Sequence, residues 1–367
     1  YEGSWLDGKM EGDGVLSMTD GSIFKGKFSN NNRDGYGEIN YSDGSIFKGN
    51  WKNNEKQGNG TLIYADKSTY EGNWEKGLQQ GFGKLTTKDG VVLEGEWKNG
   101  KINGIGKLIQ SNGDRYEGSL VNWKRNGKGV SIYTTGEKYD GNFKDDLRHG
   151  QGILTGLDGF RYEGNWLLGK MNGSGKITYS SGSEYEGNFK DNQPNGIGKI
   201  FFSDGGSYEG SWVNGVIEGK GIAKYANGLV YEGEFSRGKN NGFGTMTYSD
   251  GYVYKGKWKN GIQEGEGEEI FPNGTVYKGI FKNNQRHGKG SMEMEDGFSY
   301  SGDWVSGEMS GKGIAIYANG DRYEGYFING KREGKGVMTF QDGKIIDAIW
   351  KDGKEIQIDT SSPIDRD

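Results

Sequence analysis

The sequence predicts an all-β solenoid, an elongated and twisted antiparallel sheet of about sixteen stacked β-hairpin repeats. Three observations carry this. First, Tyr162–Glu163–Gly164–Asn165–Trp166 returns 23 residues later as Tyr185–Glu186–Gly187–Asn188–Phe189 and then as Tyr208–Glu209–Gly210–Ser211–Trp212, in a register unbroken from Tyr1 to Ile346. Second, the 71 glycines obey the same period. With the positions of one repeat numbered from 1, they fall at positions 3, 8, 12, 14 and 21, and only Gly156 and Gly206 stand elsewhere. Glycine placed by position does not signal a flexible linker. Third, each repeat carries two runs with strand alternation.

The first run is aromatic–Gly–aromatic at positions 1, 3 and 5, with Glu or Lys, Asn or Ser, and Lys between them, as in Tyr162, Gly164 and Trp166. One side of this strand is therefore apolar and the other polar. The second run places Gly at 14, mostly Leu, Ile or Met at 16, and mostly Tyr or Phe at 18, as in Gly60–Leu62–Tyr64. Parity suggests that position 5 faces 14, 3 faces 16 and 1 faces 18, so that large side chains lie over glycine. The first connection is expected to span positions 7–13. The second carries Asp–Gly or Asn–Gly at 20–21, as in Asp43–Gly44, and fits a three-residue loop with the Gly left-handed.

In chain order, repeats 1–3 are regular except that Lys67 replaces the position-21 Gly, so that turn must be strained or rebuilt. Repeats 5–7 depart most. Leu93 stands for the position-1 aromatic, Leu120 for the position-5 aromatic, Ser131 at inward position 16 and Gly156 at position 18. Trp123 appears in the loop after Leu120. Loss of bulk from a thin inward layer predicts a local bend between about residues 93 and 160, with Trp123 as a cover. Repeats 8–12 return to the pattern. From Val276 onward the outward positions turn apolar, at Ile280, Ile314, Ile316, Tyr326, Ile328, Ile345 and Ile349. Exposed apolar surface of that kind marks an interface. Residues 1–345 form fifteen repeats, 346–358 a degenerate sixteenth repeat or cap, and 359–367, with Ser, Pro and charge, a disordered tail.

Composition excludes several classes. Net charge is −5, with 46 basic and 51 acidic residues interspersed, so no nucleic-acid groove or polybasic membrane anchor is expected. There is no cysteine for a disulfide or thiolate metal site. No apolar run is long enough to span a membrane as a helix. The chain opens in register without Met, as a piece of a longer protein would. His149 and His287 share loop position 11 with no recurring second ligand, so they read as loop residues and not as metal ligands. Gly173–Ser174–Gly175–Lys176 lacks both the spacing and the strand–loop–helix context of a phosphate loop. Asn172–Gly173–Ser174 matches a glycosylation sequon, yet no secretory signal is visible. The aromatic ladder is in strict inward phase and reads as core, not as a base-stacking platform. No catalytic residue, cofactor or metal is expected.

The spacing YEGxW followed by GKxxGxG, seen at Tyr162–Gly175, resembles the MORN (membrane occupation and recognition nexus) repeat, and it covers essentially the whole chain. The resemblance implies stacked hairpins and a non-enzymatic scaffold. All-repeat chains of this kind resemble protist cytoskeletal scaffolds and ciliary radial-spoke-type proteins. The resemblance thus implies other proteins of a cytoskeletal or ciliary assembly as partners, a cytoplasmic place at the cell cortex or cilium, and a homodimer through the C-terminal repeats. Two alternatives come from the same resemblance: a phospholipid-binding module, for which no sustained Lys/Arg stripe is present, and a regulatory region of a larger enzyme such as a lipid kinase.

Overall fold

The computed structural model describes residues 1–356, so the expected tail at 359–367 and the end of the sixteenth repeat lie outside the described residues. Among the described residues there is no helix, and thirty-two strands, β1–β32 in chain order, belong to an antiparallel sheet that is not closed into a barrel. They group into two compact units, Tyr1–Gly182 with Phe189–Asn192, and Ser183–Asn188 with the segment from Gln193 onward. The same repeat geometry builds each.

In the first unit, β13 (Lys138–Lys144) and β14 (Leu147–Thr155) show the design. They are joined by two residues, Asp145 and Asp146, with φ of 48° and 69°. Two successive left-handed residues turn with the same hand as the strand twist, which makes this the tightest stable hairpin connection. The connection expected over positions 7–13 therefore shrinks to positions 7–8, and positions 9–13 become strand. Pairing follows: Tyr139 faces Leu154 and Gly141 faces Gly152, so position 1 meets 16 and 3 meets 14. The expected pairing of 5 with 14 is two residues out of register. A bulge between Gly141 and Phe143 then brings Phe143 opposite Arg148, with Gly150 at φ 66° in the bulged strand.

This register explains the glycines at positions 3 and 14. The Tyr139 ring lies over the Gly141–Gly152 pair, where a Cβ on Gly141 would stand 2.5 Å from the Gly152 Cα and 2.7 Å from the Tyr139 Oη. The bulge leaves the Asn142 carbonyl unpaired in the ladder, and the Tyr139 hydroxyl donates to it at 2.9 Å. Stacking is equally specific. Tyr139 meets Phe143 of its own repeat at 5.0 Å and Trp166 of the next at 5.4 Å, both edge to face. The Trp166 Nε1–H donates back to the Gly152 carbonyl at 3.1 Å. Such ring pairs contribute about 0.5–1.5 kcal/mol each beyond burial. In the second unit, β25 (Val276–Lys282) and β26 (Gln285–Glu293) repeat every feature: Tyr277 faces Met292, Gly279 faces Gly290, and Tyr277 meets Phe281 at 5.2 Å and Trp304 at 5.0 Å.

The other loop is as expected. The Tyr133 N–H donates to the Glu137 carbonyl at 2.9 Å, and the Gly136 N–H to the Tyr133 carbonyl at 2.9 Å, enclosing three residues with Gly136 at φ 90°. Lys67 keeps this geometry: its N–H reaches the Tyr64 carbonyl at 2.9 Å with φ at 76°, so that turn is strained and not rebuilt.

Position 10 was not anticipated as part of the inward layer. The Arg148 guanidinium lies 5.3 Å from the Tyr133 and Tyr139 ring centroids and 5.0 Å from that of Trp166. It closes the open side of a one-layer core with a cation set on ring faces.

Candidate functional site

The outward face is built from the strand residues that alternate with the aromatic layer. In the C-terminal repeats, Ile316, Tyr326, Ile328, Ile345 and Ile349 are exposed there, while Ile280 and Ile314 are half-buried. All seven are therefore at outward positions. They do not form an uninterrupted apolar strip, because each pairs across the ladder with a polar or charged residue. Ile314 faces Glu324, Ile316 faces Arg322, and Tyr326 faces Lys312. Ile280 faces Glu266 and His287. Ile328 faces Lys331, Ile345 faces Thr339, and Ile349 faces Lys335. Ile349 also meets one apolar partner, Ile356.

The charges are tied down locally. Arg322 pairs with Glu324 at 2.6 Å and Lys289 with Asp303 at 2.7 Å. The hydrogen bond from Lys289 holds the Asp303 carboxyl below the usual carboxylate range. The Lys312 ammonium sits 5.5 Å from the Tyr326 ring centroid. Between these groups lies an open depression of about 690 Å³, walled by Lys278, Lys289, Lys312, Ile314, Glu324 and Tyr326 over a floor of paired glycines. The surface suits a polypeptide that offers both apolar and charged side chains, as protein interfaces do.

Exposed apolar residues are not confined to these repeats. Tyr36, Phe82, Ile105, Ile197 and Phe243 all stand at outward position 13, and each is more than half exposed. Their signal was present in the sequence as apolar residues at a position otherwise held by polar or charged ones, as at Asn59, Gln151 and Lys289.

The irregular residues of repeats 5–7 lie in the first unit. Leu93, Leu120 and Ser131 are buried in the inward layer. The Gly156 N–H closes its loop on the Phe160 carbonyl at 2.8 Å. Trp123 takes the second place of a two-residue turn at φ 73°, and its ring meets Trp97 edge to face at 5.2 Å. Sequence reasoning missed Ile102, which is fully buried. Cβ atoms on Gly95 and Gly106 would each lie 3.3 Å from the Ile102 Cδ1, and one on Gly106 would lie 2.9 Å from the Leu120 Cδ1. These methyls occupy the space that a position-1 ring fills elsewhere. The bulge between Ile102 and Gly106 is the one that other repeats carry, but Gly104 within it opens to φ 154°, whereas Gly150 at the same position stands at 66°. Polar residues in the layer are also partnered: Arg125 Nη1 donates to the Ser131 Oγ at 3.3 Å. The buried Glu269 accepts from the Tyr252 hydroxyl at 2.7 Å and from Arg286 Nε at 2.6 Å.

The family model described as the MORN repeat matches residues 1–23, 24–46, 47–69, 70–92, 94–115, 116–138, 139–161, 162–184, 185–207, 208–230, 231–251, 254–276, 277–298, 300–322 and 323–345. The search of curated proteins returns no match. Among solved structures, the SAS-4 (dCPAP) TCP domain of Drosophila melanogaster, in complex with a proline-rich motif of Ana2 (dSTIL), is 13% identical, with 55% of this chain and 90% of that one covered and a TM-score of 0.27. The wild-type TCP10 domain of Danio rerio CPAP is 12% identical, with 73% and 99% covered and a TM-score of 0.18. A streptogramin B lyase structure is 12% identical, with 80% of each chain covered and a TM-score of 0.13. Likeness at this level carries no argument about function.

Proposed function

Because the chain belongs to the MORN repeat family, we propose that it is a non-enzymatic scaffold or spacer for protein assembly, and that it self-associates through the outward face of its C-terminal repeats. The observation that carries this is the exposure of Ile316, Tyr326, Ile328, Ile345 and Ile349, interleaved with Lys312, Arg322, Glu324 and Lys335. A patch that offers both apolar and opposite-charge groups can meet its own copy across a two-fold axis. The place that fits such a role is the cytoplasm, at the cytoskeleton of the cell cortex or cilium, with other proteins of that assembly as further partners.

The chain has no cysteine, so a single one can be introduced without background. Ile328→Cys should give a disulfide-linked dimer under mild oxidation, and Lys52→Cys, outward in the third repeat, should not. Equal cross-linking of the two, or none at Ile328→Cys, contradicts the reading. Pelleting with phosphatidylinositol-phosphate vesicles tests the alternative. Co-sedimentation of the wild-type protein, with no cross-link at Ile328→Cys, would favour a lipid surface over a protein one.

A further inference from the structure

The aromatic face of the second unit contains a slot whose counterparts in six other repeats are filled by a cation. In six repeats the position-10 side chain is Arg or Lys and lies over ring faces. The rings belong to position 18 of the preceding repeat, position 1 of its own and position 5 of the next. Arg148 lies 5.3, 5.3 and 5.0 Å from Tyr133, Tyr139 and Trp166. Arg286 lies 5.4, 4.9 and 5.4 Å from Phe271, Tyr277 and Trp304. Arg332 repeats this over Tyr317, Tyr323 and Trp350, and Arg33, Lys56 and Arg125 do so over two or three rings.

In the tenth repeat position 10 is Ile217, which faces Trp212 across the ladder as Arg148 faces Phe143. The three rings are present, as Phe202, Tyr208 and Phe235; Tyr208 and Phe235 are buried, and isoleucine leaves only Phe202 open. Position 16 is Ala223, where most repeats carry Leu, Ile or Met. The result is a cavity of about 300 Å³ bounded by Phe202, Tyr208, Ile217, Ala223 and Phe235, with Asp204 at its lip. Phe202 and the neighbouring Tyr225 are 39% and 42% exposed, whereas Tyr133, Phe271 and Tyr317, under their arginines, are only part-exposed. One Asp204 oxygen accepts the Gly206 N–H at 2.8 Å, and the other faces no donor among the described residues. Lys224 also borders the cavity, from a strand position whose side chain points outward by alternation.

We propose that this slot accepts an arginine side chain presented by a protein partner, which would sit on the exposed Phe202 ring beside Ile217 and Ala223, as Arg148 sits on the Tyr133 ring at the matching position. The open Phe202 face attracts a cation more than a neutral group of the same shape. The free Asp204 oxygen can take a guanidinium N–H, and the net charge of −5 favours approach of a basic segment. Arginine fits better than lysine, since guanidinium is weakly hydrated and stacks flat on rings. Lys56, the one lysine in the series, is lowered to about 8 by burial and by nearby Arg33. The slot is on the face opposite the proposed self-association surface, so either reading can fail without the other.

The test is a titration of the full chain with Ac-Gly-Arg-Gly-NH2, followed by methyl resonances of Ile217 and Ala223. Parallel titrations use the same peptide with citrulline, the neutral isostere of arginine, or with norleucine. Both methyls should shift with the arginine peptide, and the other two should bind at least fivefold more weakly. Ile217→Arg should fill the slot from within, keep the circular dichroism spectrum, raise the Tm and remove peptide binding. Should that variant fold poorly, Ala223→Leu fills the same cavity with the residue found at Leu62, Leu85 and Leu154. Equal binding of citrulline or norleucine peptide, unmoved Ile217 and Ala223 methyls, or undiminished binding to a folded filled-slot variant would each overturn the proposal.

Discussion

The paired glycines at positions 3 and 14 are fixed by a ring, not by a turn. Gly152 sits beneath Tyr139, whose ring atoms leave no room for a Cβ at that position. Gly152→Ala should therefore cost about 1–3 kcal/mol through overpacking. Equilibrium urea unfolding measures this, and a cost near zero would mean that the ring is seated elsewhere. Glu269 makes a second residue-level prediction. Removing one partner of a buried ion pair leaves the other uncompensated, so Glu269→Ala should cost about 3–5 kcal/mol, while Glu269→Met with Arg286→Met should be close to neutral. A double variant as unstable as the single one would contradict this. The buried tyrosines set the alkaline limit. Burial pushes the phenols of Tyr116, Tyr162, Tyr277, Tyr300 and Tyr323 up to about 12. An unfolded phenol titrates near about 10, so the folded state holds these protons more tightly. Their contribution is complete below pH of about 10 and is lost as the pH rises through about 12. Circular dichroism should show no loss of stability from neutral pH up to that window and a cooperative loss within it; an unfolding midpoint well below pH of about 10 would contradict the assignment.

At the scale of the element, the two strands, their inward and outward faces and the Gly-21 loop were legible because alternation and glycine placement are written into each repeat. The register was not. It depends on Asp145 and Asp146 both taking positive φ, a turn that Asn260–Gly261 and Asn329–Gly330 signal at the same positions but that sequence reasoning missed, and on the bulge between Gly141 and Phe143, which has no sequence signature. The role of position 10 was hidden for the same reason, since only the bulge turns Arg148 toward the rings. Repeats 5 and 6 show how the layer tolerates lost aromatics. Ile102 and Leu120 refill the space over Gly95 and Gly106 that the shorter Leu93 leaves, and Gly104 opens to φ 154° within the bulge. Ile102→Ala should thus be unusually damaging for a position-10 change, at about 2–5 kcal/mol. Amide exchange should be faster across residues 101–121 than in the matching strands of repeats 2 and 3. Uniform protection across both regions would contradict this reading and, with it, the proposal of a local bend between about residues 93 and 160.

For the whole molecule, a repeated strand pair offers the same surface positions every 23 residues, and function lies in what departs from the repeat. The outward apolar residues from Ile280 to Ile349 were legible in the sequence as such departures. Their interleaving with Glu324, Arg322, Lys312 and Lys335 was not, because it depends on cross-strand register. That interleaving turns a simple apolar patch into a surface able to select its partner. The most direct measurement is molar mass by light scattering for the wild-type chain and for the combined variant Ile316→Lys, Tyr326→Lys and Ile328→Lys. All three side chains point away from the aromatic layer, so the variant should keep the wild-type circular dichroism spectrum. The wild-type protein should have twice the mass of one chain and the variant the mass of one. A monomeric wild type, or a variant that keeps the doubled mass, would contradict the account.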